Sequence, residues 1–398
     1  MRYFFFSTSS SLSLARAETQ TKVRPFTTER RSSCMDEDDV ATEKERVNLQ
    51  VATEHTDPLL LVGLKKMYGS LKAVDGLSVG VAQGHCFGLL GQSGAGKTTV
   101  FRMLTGETNI SSGTAFLKGF NVRNNLRAVQ NQIGYCPQYD AHIGEMTASE
   151  ILHLFGRLRG IPPKDLDEVV KTLVKIVLLG PYAHRRCGNY SGGNRRKLSL
   201  AMALVGDPPF LLLDEPSCGM DPKARRQMWD VLCRIRASGK TLIVSSHSME
   251  ECDALCTKLA ILLNGRFMCL GSPQHLKSKY GQGYTLAIKM GALPDGSIAP
   301  SEPVVQFLQD AFPDTVIFDD HEGYVHLQIK DPAVELADVF SKMELCHKQL
   351  DVEDYSVNET TLEQVFLMFT IMQHLDEETR PQSCWFLRSG FFGDNLCF

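Results

Sequence analysis

Between about Val51 and Tyr280 the chain alternates short unbroken apolar runs with longer segments whose apolar residues recur at helical spacing. HCFGLLG, IGYCPQ, FLLLDEP, TLIVSSH and LAILLNG are runs of the first kind. A strand with no polar positions is covered on both faces, as in a sheet layered with helices. ARRQMWDVLCRIRASG is of the second kind: Met228, Val231, Leu232 and Ile235 share one face, and Gly239 closes the helix. The alternation predicts an α/β domain around a largely parallel sheet.

After Tyr280 the order changes. YTLAIKM reads as a strand, EPVVQFLQDAF as a helix, and TVIFDD and YVHLQI as a hairpin across HEG. PAVELADVFSKMELCHKQL then reads as a helix and VEDYSV as a strand. That is β-α-β-β-α-β, the order of ferredoxin-like α+β domains. A last helix, TTLEQVFLMFTIMQHL, follows. The expected organisation is a disordered leader over 1–34, a charged linker over 35–58, an α/β domain over 59–283, a small α+β domain over 284–375 and a tail over 376–398.

Composition changes this picture little. Hydrophobic residues at 43% and charged residues at 22% suit a globular chain, and a net charge of -4 gives no reason to expect nucleic acid. The basic clusters HRR (184–186) and RRK (195–197) read as solvated faces. Twelve cysteines, scattered through apolar elements without a CxxC pair, read as reduced, mostly buried thiols. No apolar run reaches the ~18 residues of a membrane-spanning helix, so a membrane role is expected to come through a partner. The Ser-, Thr- and Arg-rich start has some look of a targeting segment, but a secretory reading would put reduced thiols in an oxidising compartment.

Chemistry enters with GQSGAGKT, residues 91–98, which satisfies G-x-x-x-x-G-K-[ST] between a strand and a helix. Its glycines let backbone N–H groups turn towards phosphate at a helix N-terminus. Gly91, Gln92, Ser93, Gly94, Ala95, Gly96, Lys97, Thr98 and Thr99 are therefore expected to hold ATP, with Lys97 on the β/γ-phosphates and Thr98 on Mg²⁺. FLLLDEP ends in two carboxylates. Adjacent strand residues face opposite ways, which predicts separate jobs: Asp214 near Mg²⁺, Glu215 as the base for the attacking water. His247 closes another buried strand and is expected at the γ-phosphate. Gln138, just past a third strand, is expected to touch Mg²⁺. Tyr68 offers a ring for the adenine, although an exposed tyrosine stacking on nothing fits as well.

A second glycine turn, YSGGN, opens onto another helix far from the first. The series Tyr68, GQSGAGKTT, Gln138, YSGGN, LLLDEP, GMD and SSH resembles the nucleotide-binding domain of ATP-binding-cassette (ABC) transporters. The resemblance implies a P-loop NTPase fold with a helical subdomain. It also implies head-to-tail pairing with a second such domain, whose ATP is closed over by Ser191, Gly192 and Gly193, and it adds the GMD residue Asp221 to the nucleotide-binding residues. YSGGNRRKLS, GMDPKARRQMW and YSVNETTLEQVF are similar to subfamily A, in its second, C-terminal cassette, and region 284–372 to its regulatory domain. Ser93, Ser217 and Cys218 depart from the residues more frequent there, without removing a catalytic group. The implied function is ATP hydrolysis driving lipid or sterol transport, at the cytoplasmic face of a membrane and together with membrane domains. The chain thus reads as one part of a longer transporter. The alternative is a soluble cassette ATPase acting as a mechanical switch.

Overall fold

A computed structural model of the chain describes residues 37–52, 57–281, 283–291, 299–321, 323–329, 331, 334, 336–350, 352–359 and 361–378. The leader over 1–34 and all but the start of the tail lie outside them. Helix α1 (Glu37–Ala52) leads into strands β1 (Leu59–Tyr68), β2 (Leu71–Val81) and β3 (Cys86–Leu90), then helix α2 (Lys97–Thr105). Next come β4 (Ser112–Leu117), β5 (Phe120–Asn121), α3 (Leu126–Gln132), β6 (Ile133–Cys136) and helices α4 (Ala148–Leu158), α5 (Pro163–Ile176) and α6 (Gly192–Leu204). The α/β pattern resumes with β7 (Phe210–Asp214), α7 (Pro222–Ala237), β8 (Thr241–Ser246), α8 (Met249–Leu255), β9 (Lys258–Leu263), β10 (Arg266–Gly271) and α9 (Pro273–Tyr280). The last part holds β11 (Tyr284–Met290), α10 (Glu302–Ala311), β12 (Thr315–His321), β13 (Tyr324–Ile329), α11 (Leu336–Gln349), β14 (Val352–Glu359) and α12 (Leu362–Glu378).

The central sheet runs β10-β9-β3-β8-β7-β6, parallel throughout except for the edge strand β10. Its inner strands are apolar over most of their length because successive side chains enter different cores. In β7, Phe210 and Leu212 enter the core shared with α2, while Leu211 and Leu213 enter the core beneath α4–α8. Asp214 continues the Phe210–Leu212 series, which turns it to the α2 side. A second sheet, β2-β1-β4-β5, is antiparallel and lies outside the sequence-based expectation. Helices α4–α6 supply the expected helical subdomain. A reciprocal cap starts α4: Thr147 Oγ1 accepts from Glu150 N, and Glu150 Oε2 accepts from Thr147 N.

The segment expected as a charged linker contains α1, and α1 is docked. Val47 is fully buried. Glu43 accepts from Gly80 N (2.9 Å) and Arg46 (2.7 Å) and pairs with Lys258 (3.0 Å), while Arg46 also reaches Asp57 (2.7 Å). Its charges look like those of a solvated linker but find partners on β2 and β9 instead.

The third sheet has the order β12-β13-β11-β14, all antiparallel, with α10 and α11 burying Val304, Leu308, Val339 and Met343 against Leu286, Ile288, Val325 and Leu327. This is the ferredoxin-like arrangement. Helix α12 then leaves it: Leu362, Val365, Phe366 and Phe369 join the core beneath α4–α8. The expected boundary at 375 therefore cuts a helix that the first domain holds. None of the nine described cysteines is in a disulfide, and seven are buried, which makes those seven packing residues. Among the described residues no helix is long and apolar enough to cross a membrane.

The Phe369 ring meets Tyr280 edge-on at 5.0 Å and is itself fully buried. Phe369→Ala is expected to lower stability by about 3–5 kcal/mol. Urea unfolding of the whole chain checks this; a loss below about 1 kcal/mol would show that α12 does not contribute to the core as described.

Candidate active site

The cradle lies between β3 and α2. Gly94 and Gly96 have φ of 86° and 107°, conformations that only glycine adopts cheaply. A Cβ on Gly96 would come within 2.5 Å of the Ala73 carbonyl oxygen, and one on Gly91 within 2.5 Å of the Leu262 carbonyl oxygen. Strands β2 and β9 thus back the loop closely and permit no side chain there. Helix α2 starts at Lys97 with no side-chain cap, which leaves its first N–H groups facing outward as donors to an anion.

Lys97 is buried, and its ammonium donates to the carbonyls of Gly91 (2.7 Å) and Gln92 (3.0 Å). Burial holds its pKa below the usual lysine value, and the charges of Glu215 and Asp214 oppose that shift. A cation so desolvated favours further negative charge in its vicinity.

The two carboxylates are not divided by strand alternation, as the sequence suggests. Strand β7 ends at Asp214, and Glu215 has a left-handed backbone (φ 49°), which breaks the alternation. Asp214 is fully buried; Ser245 Oγ donates to its Oδ1, while its Oδ2 has no partner. Glu215 is the hub of the site. Its Oε1 lies 3.8 Å from Lys97 Nζ and 3.3 Å from His247 Nδ1, and its Oε2 accepts from Gln138 Nε2 at 3.3 Å. Four segments distant in sequence therefore converge on one carboxylate. His247 stands at the rim with its side chain 56% exposed.

The remaining expected residues lie on supporting elements. Tyr68 ends β1, on the hairpin whose Ala73 backs the cradle; it is 42% exposed, with Lys66 Nζ 4.9 Å from its ring centroid. Ser191 caps α6, accepting from Asn194 N, and Asp221 caps α7, accepting from Ala224 N at 3.0 Å. Gly192 and Gly193 lie against Gly219, Met220 and Ala224, so the second glycine turn rests on the loop that carries Asp221.

In the basic triplet after this turn only Arg195 is exposed; the other two are not part of a solvated face. Arg196 is 3% exposed and Lys197 is buried. Arg196 bonds backbone carbonyls on either side of the site, and no pattern in a single sequence marks it, because RRK reads as surface. The site also fits a nucleotide with a divalent cation: glycines that a Cβ would fill, uncapped N–H groups, a desolvated ammonium and an orphaned Asp214 oxygen all call for polar partners.

Comparison with known proteins agrees with this geometry. A family model described as ABC transporter matches residues 74–218, and one described as ABCA1-like, C-terminal R1 regulatory domain matches residues 281–359. The chain is an ABC cassette joined to a subfamily A regulatory domain. A model described as AAA domain, putative AbiEii toxin, Type IV TA system also matches residues 185–253, inside the cassette. Phospholipid-transporting ATPase ABCA3 of Rattus norvegicus is 47% identical over 348 residues, which is 86% of this chain and 20% of that protein. Retinal-specific phospholipid-transporting ATPase ABCA4 of Homo sapiens is 47% identical over 341 residues, 85% of this chain and 15% of that protein. The chain thus spans a fifth or less of the length of these relatives. Among solved structures, the ATP binding subunit of an ABC transporter superposes with a TM-score of 0.52 at 22% identity, covering 56% of this chain and 92% of that one. That likeness shows the fold.

Gly96→Ala forces a strained φ and a clash with the Ala73 carbonyl. The variant is expected to lose at least tenfold in affinity for a fluorescent ATP analogue while keeping its circular dichroism. An unchanged titration would remove the loop from the binding site.

Proposed function

We propose that this chain is the ATP-hydrolysing second cassette of a subfamily A transporter that moves lipid across or within a membrane. The observation that carries the reading is the convergence of Lys97, Gln138 and His247 on the Glu215 carboxylate beside the glycine cradle. Gly91–Thr99 bind the triphosphate through backbone N–H groups, and Lys97 takes the β/γ oxygens. Glu215 holds the attacking water and accepts its proton, and His247 steadies the γ-phosphate from the rim. Thr98, Gln138 and Asp214 are the residues that would hold Mg²⁺, Asp214 through its buried oxygen without a partner. When bound, the ion neutralises charge on the phosphate oxygens. Tyr68 offers its ring to the adenine.

Ser191, Gly192, Gly193 and Asp221 serve the nucleotide of a second cassette. Support comes from their own setting: small residues at a helix start, resting on the loop that carries Asp221. The ATP-binding cassette MJ0796, superposing with a TM-score of 0.50 at 20% identity, has been solved in a dimeric post-hydrolysis state bound to ADP and Pi. Closing such a pair on two nucleotides and reopening it after hydrolysis gives the motion that membrane domains convert into transport. Lipid as cargo is supported by the two 47%-identical relatives above, both phospholipid-transporting ATPases. The working position is the cytoplasmic face of the membrane.

Glu215→Gln keeps the shape of the site and removes the base. ATP turnover is expected to fall by about 10²-fold or more while ATP binding persists. Retained turnover would mean that another group takes the proton. Native membranes washed in carbonate and blotted for residues 284–372 test the transporter reading. It predicts that the protein stays with the membranes; release into the wash would sink it.

A further inference from the structure

The buried Arg196 has no part in the chemistry above, yet its bonds reach both the turn that carries Glu215 and the loop that carries Gln138. It lies on α6, five residues after Ser191. Its Nε donates to the Pro216 carbonyl (3.2 Å) and Nη2 to the carbonyls of Glu215 (2.9 Å) and Asp214. Its Nη1 donates to the carbonyls of Pro137 (2.5 Å) and Gln138 (3.2 Å) and to Asp140 Oδ1 (3.3 Å). A guanidinium has five N–H donors in one rigid plane, and here all of them are used. The Gln138 loop is joined to α6 a second time, by Ser199 Oγ donating to Asp140 Oδ1 (2.6 Å) and by His142 Nε2, 2.9 Å from the Arg195 carbonyl.

Glu215 gives these bonds a purpose. Its left-handed backbone is costly for a residue with a Cβ and persists only where the surroundings hold it. Arg196 grips three consecutive carbonyls across that turn, 214 to 216, and with its other edge grips the backbone of Gln138, whose side chain donates to Glu215.

We infer that Arg196 is a positioning residue, which sets Glu215 and Gln138 against each other and ties both to the helix that begins at Ser191. The inference rests on the reading of Glu215 as general base. In a head-to-tail pair, α6 starts at the partner's nucleotide, so a shift of the second glycine turn is carried by Arg196 to the base of this chain's own site. Lysine keeps the charge but has no planar fork and cannot hold both edges.

The test uses the whole chain with Arg196→Lys, Gln138→Ala and the double variant. ATP affinity is read with a fluorescent analogue, turnover as kcat and KM, and backbone order by amide hydrogen exchange. For Arg196→Lys we expect affinity and KM within about twofold, kcat reduced at least tenfold, and faster exchange in 137–142 and 214–218 while α6 stays protected. The double variant should be no slower than the worse single variant, since both act through one geometry. A kcat within twofold, exchange that rises evenly over the chain, or losses that multiply in the double variant would each overturn the inference. Should Arg196→Lys fail to fold, Asp140→Asn, which weakens one edge of the grip, must show the same pattern or the idea fails. A wild-type chain that binds ATP without turning it over would count against Glu215 as base, while the exchange pattern still decides the role of Arg196.

Discussion

Three charges enclosed at the exit of a parallel sheet, Lys97 against Asp214 and Glu215, govern the rest of this molecule. Burying them is expensive, and the fold meets the cost by surrounding each with polar partners. Lys97 is bonded to two loop carbonyls, Asp214 to Ser245, and Glu215 to Gln138 and His247. The partners come from the ends of three strands, β3, β6 and β8. A parallel sheet delivers all its strands' C-terminal ends to one edge, so residues more than 100 positions apart in the chain meet there.

Support for that edge comes from two kinds of contact. Apolar side chains divide between the two faces of the sheet and make the strands rigid. Close backbone approach does the finer placement: β2 and β9 press carbonyls against the cradle glycines, and Arg196 holds the turn after β7. The helical subdomain reaches the site through α6, and α1 and α12 brace the cassette from outside its own motifs. The regulatory domain has a separate core, and the chain returns from it to the cassette through α12.

Where the sequence misleads about exposure, it does so because charge is taken for a solvated surface. MDEDDVATEKERV reads as a linker because nothing in it shows that Glu43 and Lys258 will pair. RRK reads as surface because the acceptors that satisfy Arg196 are backbone carbonyls, which every residue has. The separation of Asp214 from Glu215 by alternation fails because the strand ends at Asp214 and Glu215 lies just past it.

By itself the sequence determined the alternation of buried strands and helices, the glycine cradle with its lysine, and the ferredoxin-like order of the last part. Those features are written in local periods and in residue types with few alternatives. Only the tertiary structure decided which carbonyls the buried arginine grips, where α1 and α12 dock, and that Gln138, Lys97 and His247 share a single carboxylate. Such contacts join positions far apart along the chain, and no local pattern encodes the distance between them.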